Sequence, residues 1–202
     1  MSSAVHAGLS VSSWVRRWSH LVAPGASVLD VACGSGRHVR WFAGRGCQVT
    51  GVDRDGAGLE ALRAIAAVVQ ADIENAPWPL DGRRFNAVIV TNYLWRPLLP
   101  TLLASVADSG VLICETFSAG NETVGKPSNP QFLLRPGELL AAVQGLRVVG
   151  YEDGFEPAPE RFVQRIVAVR ERGGNAAPLR YPLAREAMPP GQVKSADSGD
   201  LA

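Results

Sequence analysis

Cysteine is scarce in this sequence, and no spacing of metal-binding residue types stands out. Its 202 residues include three cysteines, Cys33, Cys47 and Cys114. An odd number at such wide spacing does not make a disulfide framework and is typical of a reducing compartment. The three histidines form no HxxxH pattern, and no CxxC pair occurs. The sequence therefore predicts no metal site and a cytoplasmic location.

The sequence also lacks an excess of charge of one sign and any long apolar run. Its formal net charge is +1 and its pI is near 7.8, which gives no electrostatic indication of nucleic-acid binding. No apolar run approaches the roughly 18–20 residues that a membrane-spanning helix needs. The N-terminus has no basic start followed by an apolar core. We therefore expect no nucleic-acid partner, no membrane contact and no secretory signal.

The composition that remains is that of a globular domain with a sizeable core. Hydrophobic residues make up 47% of the sequence and charged residues 19%. We expect a single domain over residues 1–170, with a loose leader at 1–10 and an N-terminal helix at about 12–22. Residues 171–202 are rich in Gly, Pro, Ser and Ala, which predicts a largely irregular or disordered tail.

Strand and helix patterns alternate from residue 27 to residue 145. The predicted strands are "SVLDVA", "CQVTGVD", "AVVQADI", "FNAVIVTNY", "GVLICETF", "LRVVGYED" and "RFVQRIVAVRE". Such alternation predicts a mostly parallel sheet with helices on both faces. Only "GFEPAPE" separates the last two strands, which is too short for a parallel crossover. The sequence therefore predicts an α/β fold with seven strands and a C-terminal antiparallel hairpin.

The turn after the first strand has the composition of a nucleoside-binding site. Gly34 and Gly36 in "ACGSG" allow the backbone to approach a ligand closely, and the helix that follows presents unpaired N–H groups. Asp53 ends the second strand, where a carboxylate can accept hydrogen bonds from ribose hydroxyls. In open parallel sheets such ligands bind beyond the carboxyl ends of the strands, where the strand order reverses.

Two classes of nucleoside ligand compete for this turn. The G-x-G-x-x-G pattern of dinucleotide sites would place Val39 at its third glycine, and a branched side chain there would hinder close helix–strand packing. The pattern present is D-x-A-x-G-x-G, at Asp30, Ala32, Gly34 and Gly36. It resembles the glycine-rich loop of class I S-adenosylmethionine-dependent methyltransferases, in which the position of Ala32 is usually glycine. The segment looks most like the small bacterial tellurite-resistance and thiopurine methyltransferases.

The resemblance implies a Rossmann-like fold, S-adenosylmethionine as cofactor and roles for particular residues. In this family the acidic residue at the position of Asp53 binds ribose, and an aspartate at the position of Asp72 faces the adenine amino group. The reacting centre lies over the end of the fourth strand, here "TNYL". The implied cofactor-binding residues are Asp30, Ala32, Cys33, Gly34, Gly36, Asp53, Arg54, Asp72, Ile73, Thr91 and Asn92.

Catalytic candidates follow the fourth and fifth strands. Tyr93 is either a wall of the cofactor site or plain packing. Glu115 either orients a substrate and acts as a base, or is a hydrogen-bonded strand end. The methyl donor carries most of the chemistry of an in-line displacement, so a dedicated base is optional. Cys33 is either a reactive thiol or a small buried filler, and Trp14 and Trp18 either cover the substrate or pack in the core.

The segment 118–135 has no helix or strand periodicity and leaves the reacting side of the sheet. Long loops of this kind are functional or mobile, and we expect a substrate lid. The leading hypothesis is methyl transfer to a small-molecule acceptor by a monomer or homodimer. The alternatives are a methyltransferase that acts on a macromolecule with a partner, a non-catalytic S-adenosylmethionine-binding protein and a nicotinamide-dependent dehydrogenase.

Overall fold

The computed structural model describes residues 10–173 and 179–183. Almost all of the predicted leader and most of the predicted tail lie outside these residues, so the domain limits stay a prediction. The strands are β1 (Ser27–Val31), β2 (Gln48–Asp53), β3 (Ala67–Gln70), β4 (Phe85–Thr91), β5 (Val106–Phe117), β6 (Arg147–Pro157) and β7 (Glu160–Val169). The α-helices are α1 (Ser13–Trp18), α2 (Arg37–Ala43), α3 (Gly56–Glu60), α4 (Leu99–Ala104) and α5 (Glu138–Ala142).

The seven strands form one sheet in the order β3-β2-β1-β4-β5-β7-β6. Strands β1 to β5 pair in parallel, and β7 is antiparallel to both of its neighbours. The predicted mostly parallel sheet with a C-terminal antiparallel hairpin is confirmed. The strand order reverses between β1 and β4, which places the expected ligand crevice beyond the carboxyl ends of these two strands.

Helices cover both faces of the sheet. Successive residues of a strand point to opposite faces, so they contribute to two separate hydrophobic cores, one on each face. Val28 packs in the core with α1, α2 and α3, whereas its neighbour Leu29 packs in the core with α4 and α5. In β5, Ile113 and Leu112 divide between the two cores in the same way. This period of two on a continuously apolar strand is what a sheet buried on both faces requires.

The N-terminal helix is shorter than predicted and forms part of the core. Helix α1 ends at Trp18 and continues as a 3-10 helix, Ser19–Leu21. Ser12 caps it, because its hydroxyl accepts hydrogen bonds from the backbone N–H groups of Trp14 and Val15. The two tryptophan rings are buried with centroids 5.7 Å apart, and the Trp14 indole donates to the carbonyl of Ile166 at 3.4 Å. Both tryptophans pack against the sheet rather than cover the crevice.

Further boundaries differ from the predicted ones. The segment "GAGLEALRAIA" lies between the second and third predicted strands, where the alternation implies a helix, but it is helical only to Glu60, and turns carry the chain from there to β3. The two hairpin strands extend through almost all of "GFEPAPE", which leaves only Ala158 and Pro159 between them. Antiparallel pairing satisfies the backbone groups of these residues, although their side chains show no strand-like alternation.

Candidate functional site

The turn between β1 and α2 needs its glycines for two different reasons. Ala32, Gly34 and Gly36 have φ values of 51°, 52° and 79°, in the left-handed region. A Cβ at Gly36 would lie 2.4 Å from the side chain of Leu62, whereas a Cβ at Gly34 would project into open space. A methyl group at Ala32 is accommodated at a cost of about 1 kcal/mol for its backbone conformation. The turn is therefore shaped by backbone conformation at all three positions and by packing at Gly36.

Asp53 holds this turn against the end of β2. Its Oδ2 accepts the backbone N–H of Gly34 at 2.7 Å, and its Oδ1 accepts the N–H of Asp55 at 2.9 Å. A carboxylate oxygen has lone pairs for more than one donor, so ligand hydroxyls can still be bound. One side chain thus shapes the glycine turn and faces the crevice beside it.

The contact between α2 and β2 corrects the packing argument made from Val39. Val39 is fully buried, and a Cβ on Gly51 of β2 would lie 3.3 Å from it and 3.0 Å from the Cys33 sulfur. The missing side chain that permits the close approach is on the strand instead of the helix. Burial raises the pKa of Cys33 to about 12, so the residue is a neutral thiol that fills space.

A cavity of about 410 Å³ opens beyond the carboxyl ends of strands β1 to β5. This volume is within the range of small-molecule sites, roughly 300–1,000 Å³. Residues after the first three strands line one side, here called the β1–β3 end: Ala32, Asp53, Arg54, Ala71, Asp72, Ile73 and Glu74. Residues after β4 and β5 line the other side, the β4–β5 end: Asn92, Tyr93, Leu94, Phe117, Pro127 and Phe132.

The predicted cofactor-binding residues divide between the wall of the cavity and the structure behind it. Those in the wall are Ala32, Asp53, Arg54, Asp72, Ile73 and Asn92. Those outside the lining are Asp30, Cys33, Gly34, Gly36 and Thr91. Asp30 and Thr91 are buried, and the two glycines shape the turn. The pattern thus contains one group that lines the cavity and another that lies behind its wall.

Asp72 begins a turn that its own side chain stabilises. Its carboxylate accepts hydrogen bonds from the Asn75 side chain at 3.0 Å and from the backbone N–H groups of Glu74 and Asn75 at 3.0 and 3.1 Å. The Asn75 side chain, followed by these two N–H groups, lowers the pKa of Asp72. An ionised Asp72 therefore stands beside the buried side chain of Ile73 at the β1–β3 end.

A buried polar network lies behind the glycine turn. The backbone N–H of Ser12 donates to Nε2 of His38 at 3.2 Å, which assigns the ring proton to Nδ1. That nitrogen lies 3.4 Å from the Thr91 hydroxyl and 3.9 Å from Asp30 Oδ1. Burial lowers the pKa of His38 to about 3 and raises that of Asp30 to about 7. Both side chains are therefore uncharged over the interval between those pKa values.

Glu115 is held in an ion-pair cluster and does not line the cavity. Its carboxylate accepts from Nε of Arg165 at 2.5 Å and from the Ser12 hydroxyl at 3.0 Å, with Nη1 of Arg161 at 3.7 Å. Arg165 also contacts Glu156, and Glu115 is 1% exposed. The structure therefore gives Glu115 the surroundings of a hydrogen-bonded strand end.

Tyr93 does line the cavity, at its β4–β5 end. Its hydroxyl is buried and has no hydrogen-bond partner among the described residues. Burial, followed by the charges of Glu74 and Asp72, raises the pKa of Tyr93 above its usual value. The side chain is therefore a protonated phenol with an unused hydrogen-bonding capacity.

The segment 118–135 contributes the outer wall of the cavity through Pro127 and Phe132. It has more structure than the sequence indicates, with 3-10 turns at Asn121–Thr123 and Pro130–Phe132. The buried Asn121 fastens its first half, because its Nδ2 donates to the carbonyl of Pro127 at 3.0 Å. The Oδ1 of Asn121 accepts the backbone N–H of Phe162 at 3.2 Å, which ties the loop to β7.

Arg96 fastens the second half of the same segment. Its guanidinium donates to the carbonyls of Gln131 and Leu133 at 2.7 and 2.8 Å, and to both carboxylate oxygens of Glu138 at 2.6 and 2.9 Å. The loop is thus tied to the chain after β4 and to α5. Its role as a substrate lid stays a prediction, now for a folded segment that already forms a wall.

Sequence reasoning missed part of the cavity lining. The missed residues are Ala71, Glu74, Leu94, Pro127 and Phe132. Ala71, Glu74 and Leu94 adjoin predicted residues, and their positions just after β3 and β4 could have indicated that they line the site. Pro127 and Phe132 lie in the segment that was singled out as a lid, but nothing local distinguished them from their neighbours.

The described residues lack two classes of feature. No helix in this part of the chain has the length and apolar character needed to cross a membrane. Within the same residues, no group of three or more His, Cys, Asp or Glu side chains is placed to hold a metal ion.

The comparisons with known proteins agree with the motif and the topology. Residues 28–109 match the family model described as a methyltransferase domain. The comparison with curated proteins finds no match. The matched segment extends from β1 into β5 and thus includes the glycine turn, Asp53, Asp72 and the end of β4.

Solved structures of methyltransferases share the fold at low sequence identity. TehB from Haemophilus influenzae superposes with a TM-score of 0.66 at 15% identity, over 80% of this chain and 63% of that one, which is less than two thirds of its length. A TehB-like SAM-dependent methyltransferase from Corynebacterium glutamicum gives 0.58 at 20% identity, over 81% and 90% of the two chains. Coclaurine N-methyltransferase bound to N-methylheliamine and SAH gives 0.57 at 14%, over 77% and 70%. The predicted Rossmann-like fold is confirmed by these structures, and the match of residues 28–109 to a methyltransferase domain supports the prediction of a methyltransferase with S-adenosylmethionine as cofactor.

Proposed function

We propose that this chain transfers a methyl group from S-adenosylmethionine to a small-molecule acceptor, because residues 28–109 match a methyltransferase domain and the chain shares the fold of solved methyltransferases. The observation that carries the proposal is the two-ended cavity. Its β1–β3 end offers carboxylates at the positions where the family binds a nucleoside, and its β4–β5 end continues into an uncharged space. Cofactor and acceptor therefore have adjoining places in one site.

The residues of the β1–β3 end suit the nucleoside part of the cofactor. We assign Asp53 to the ribose hydroxyls, since its oxygens retain lone pairs beside the glycine turn. Asp72 and Ile73 would hold the adenine, one by hydrogen bonding and the other by apolar contact. Ala32, Arg54 and Asn92 complete the wall, and the turn at 32–36 gives the cofactor close access to backbone.

S-adenosylmethionine supplies a methyl group on a positively charged sulfur. The chain then has to orient the acceptor and exclude water. Tyr93 can bind an acceptor through its free hydroxyl, and Pro127 and Phe132 shield the β4–β5 end from one side. We assign Glu115 a structural part, because two arginines and Ser12 already occupy its carboxylate.

The scale of the site favours a small acceptor over a macromolecule. Cofactor and acceptor share about 410 Å³, and a loop tied at both halves borders the space. We propose a single domain over residues 1–170 that acts as a monomer or homodimer. All three cysteines are unpaired and buried, which supports the proposal of a reducing, cytoplasmic setting.

Calorimetry with the purified protein tests the cofactor, and product detection tests the transfer. We expect micromolar dissociation constants for S-adenosylmethionine and S-adenosylhomocysteine and no binding of NADH. We also expect S-adenosylhomocysteine to accumulate when phenols, amines, thiols and metalloid oxyanions are screened as acceptors. Tight NADH binding without a signal from the sulfonium ligand would favour a dehydrogenase. Cofactor binding without turnover on any acceptor would favour a non-catalytic binding protein.

A further inference from the structure

The two ends of the cavity differ completely in charge. The charged side chains in the lining are Asp53, Arg54, Asp72 and Glu74, and all four belong to the β1–β3 end. The β4–β5 end consists of one amide, Asn92, one phenol, Tyr93, and four apolar side chains. Two of those four, Phe117 and Phe132, are aromatic. The place left for an acceptor is therefore uncharged and has aromatic walls.

This lining does not suit an anionic acceptor. Arg54 is the one cation among the described residues that line the cavity, and it lies at the opposite end. An anion removed from water without a charged or hydrogen-bonding partner loses several kcal/mol, on the order of the cost of a buried unpaired charge. Apart from the sulfonium of the cofactor, the β4–β5 end offers such a group only the Asn92 amide and the Tyr93 hydroxyl.

A cationic acceptor is disfavoured for a different reason. The sulfonium of the bound cofactor is positive, and two like charges in a water-poor cavity repel one another. A protonated amine also has no lone pair with which to attack a methyl group. The carboxylates of Glu74 and Asp72 act on the Tyr93 hydroxyl from the β1–β3 end, but they do not line the place left for an acceptor.

Tyr93 supplies a specific polar contact in these apolar surroundings. Its hydroxyl is buried without a partner in the described part of the chain, and buried polar groups normally have one. A phenol both donates and accepts, so it can bind the hydroxyl or amino group of an acceptor. Aromatic rings prefer offset or edge-on contacts with other rings, which Phe117 and Phe132 can offer a flat acceptor.

We propose that the acceptor is a neutral aromatic molecule that carries a hydroxyl or amino group. The inference rests on the proposed methyltransferase function and narrows it to one substrate class. The acceptor's oxygen or nitrogen forms a bond to the methyl carbon while the methyl–sulfur bond breaks. The electron pair of that bond stays on sulfur, and the proton of the acceptor passes to water.

The first experiment measures acceptor binding by calorimetry on protein saturated with S-adenosylhomocysteine. The probes share one ring system: 2-naphthol, naphthalene and 6-hydroxy-2-naphthoate, with selenite as an inorganic anion. We expect 2-naphthol to bind at least tenfold more tightly than 6-hydroxy-2-naphthoate, and selenite not to bind. Equal or tighter binding of either anion would overturn the inference while leaving the cofactor site intact. Failure of S-adenosylhomocysteine itself to bind would overturn the proposed function and this inference with it.

The second experiment uses a matched pair of variants. Phe132 and Leu140 are each 42% exposed, but Phe132 lines the cavity and Leu140 does not. We expect Phe132→Ala to weaken 2-naphthol binding about fivefold or more, with no change in affinity for S-adenosylhomocysteine. Leu140→Ala should change neither. If Phe132→Ala bound 2-naphthol as tightly as the native protein does, the proposed contact between the Phe132 ring and the acceptor would be overturned.

The third experiment isolates the hydroxyl contact. Tyr93→Phe keeps the ring and removes the oxygen, so it should preserve folding and naphthalene binding. We expect the preference of the native protein for 2-naphthol over naphthalene to fall severalfold in this variant. A preference that stays unchanged would show that Tyr93 does not hold the acceptor's polar group.

Discussion

The two ends of the cavity are built from the chain in different ways. The β1–β3 end comes from three successive strand ends, so its residues lie in short segments around positions 32, 53 and 72. The β4–β5 end combines the residues after β4 with Phe117 and with Pro127 and Phe132 from the loop that follows β5. The first end holds all the charge of the lining and the second holds most of its aromatic surface.

The difference extends to what lies behind each end. Behind the glycine turn is a polar network that includes Asp30, His38 and Thr91. Beside Tyr93 and Leu94 is the core that contains α4 and α5, which is made of side chains such as Leu102 and Leu139. A common cofactor needs hydrogen-bonding groups in fixed positions, whereas an acceptor site can change with its apolar lining. The following substitutions test whether the two ends of the cavity have these separate roles.

The largest expected effect is at the glycine turn. Gly34→Val places a branched side chain at φ 52°, in open space next to the crevice. We expect loss of S-adenosylmethionine binding by more than a hundredfold, because strain and loss of ligand space act together. Ala32→Gly is the control, since it relieves a left-handed alanine and should leave binding nearly unchanged. Calorimetry gives both affinities, and circular dichroism checks folding. Normal binding by a folded Gly34→Val would move the cofactor away from this turn.

Asp53→Ala should have the next largest effect. It removes the proposed ribose contact and the 2.7 Å hydrogen bond that holds Gly34. Hydrogen bonds to charged groups contribute roughly 1.5–3 kcal/mol each, and solvent offsets part of this, so we expect about a tenfold to hundredfold loss of cofactor affinity. Asp108→Ala changes an exposed carboxylate away from the cavity and serves as the control. An unchanged dissociation constant for Asp53→Ala would show that Asp53 does not contact the ribose.

Asp30→Asn should expose a dependence of stability on pH that the native protein hides. The pKa of Asp30 is raised to about 7, so its contribution to stability is present below its unfolded value of 3.8 and is lost as pH rises through 7. The pKa of His38 is lowered to about 3, so its contribution is present above 6.5 and is lost as pH falls toward 3. Between these limits the two slopes are opposite and offset each other.

Without Asp30, the slope that comes from His38 is no longer offset. Relative to the native protein, the free energy of unfolding of Asp30→Asn should fall by about 1 kcal/mol for each pH unit from 6.5 down to 4. Urea unfolding at several pH values gives this difference, and His38→Gln should show the opposite slope. Parallel curves for Asp30→Asn and native protein would mean that Asp30 titrates normally in the fold.

The smallest expected effect is at the anchor of the outer wall. Asn121→Ala removes the hydrogen bonds to Pro127 and Phe162 and loosens the first half of the loop. We expect turnover to fall about threefold to tenfold while cofactor affinity stays constant, because closure excludes water from the transfer. Ser128→Ala, at an exposed position of the same loop, is the control. Full turnover by Asn121→Ala would show that the loop does not act as a lid.

The residues of the β1–β3 end were largely predictable because the sequence patterns that indicate them span only a few neighbouring residues. Gly34 and Gly36 report a left-handed turn, and Asp53 follows an apolar run that ends as a strand. The two ion-pair partners of Glu115 were not predictable, since Arg161 and Arg165 follow it by about 50 residues and reach it only through the pairing of β5 with β7. The same holds for Val39, whose close packing depends on a glycine in another element.

The sequence alone determined the order of strands and helices, the C-terminal hairpin and the left-handed glycine turn after the first strand. These features follow from apolar periodicity, chain reversal and glycine conformation, all of which act within a few residues. The tertiary structure decided which of the predicted side chains face the cavity and which lie behind it, as with Asp53 and Asp30. It also brought Phe132 opposite the end of β4, because long-range hydrogen bonds such as those of Arg96 set the course of the loop.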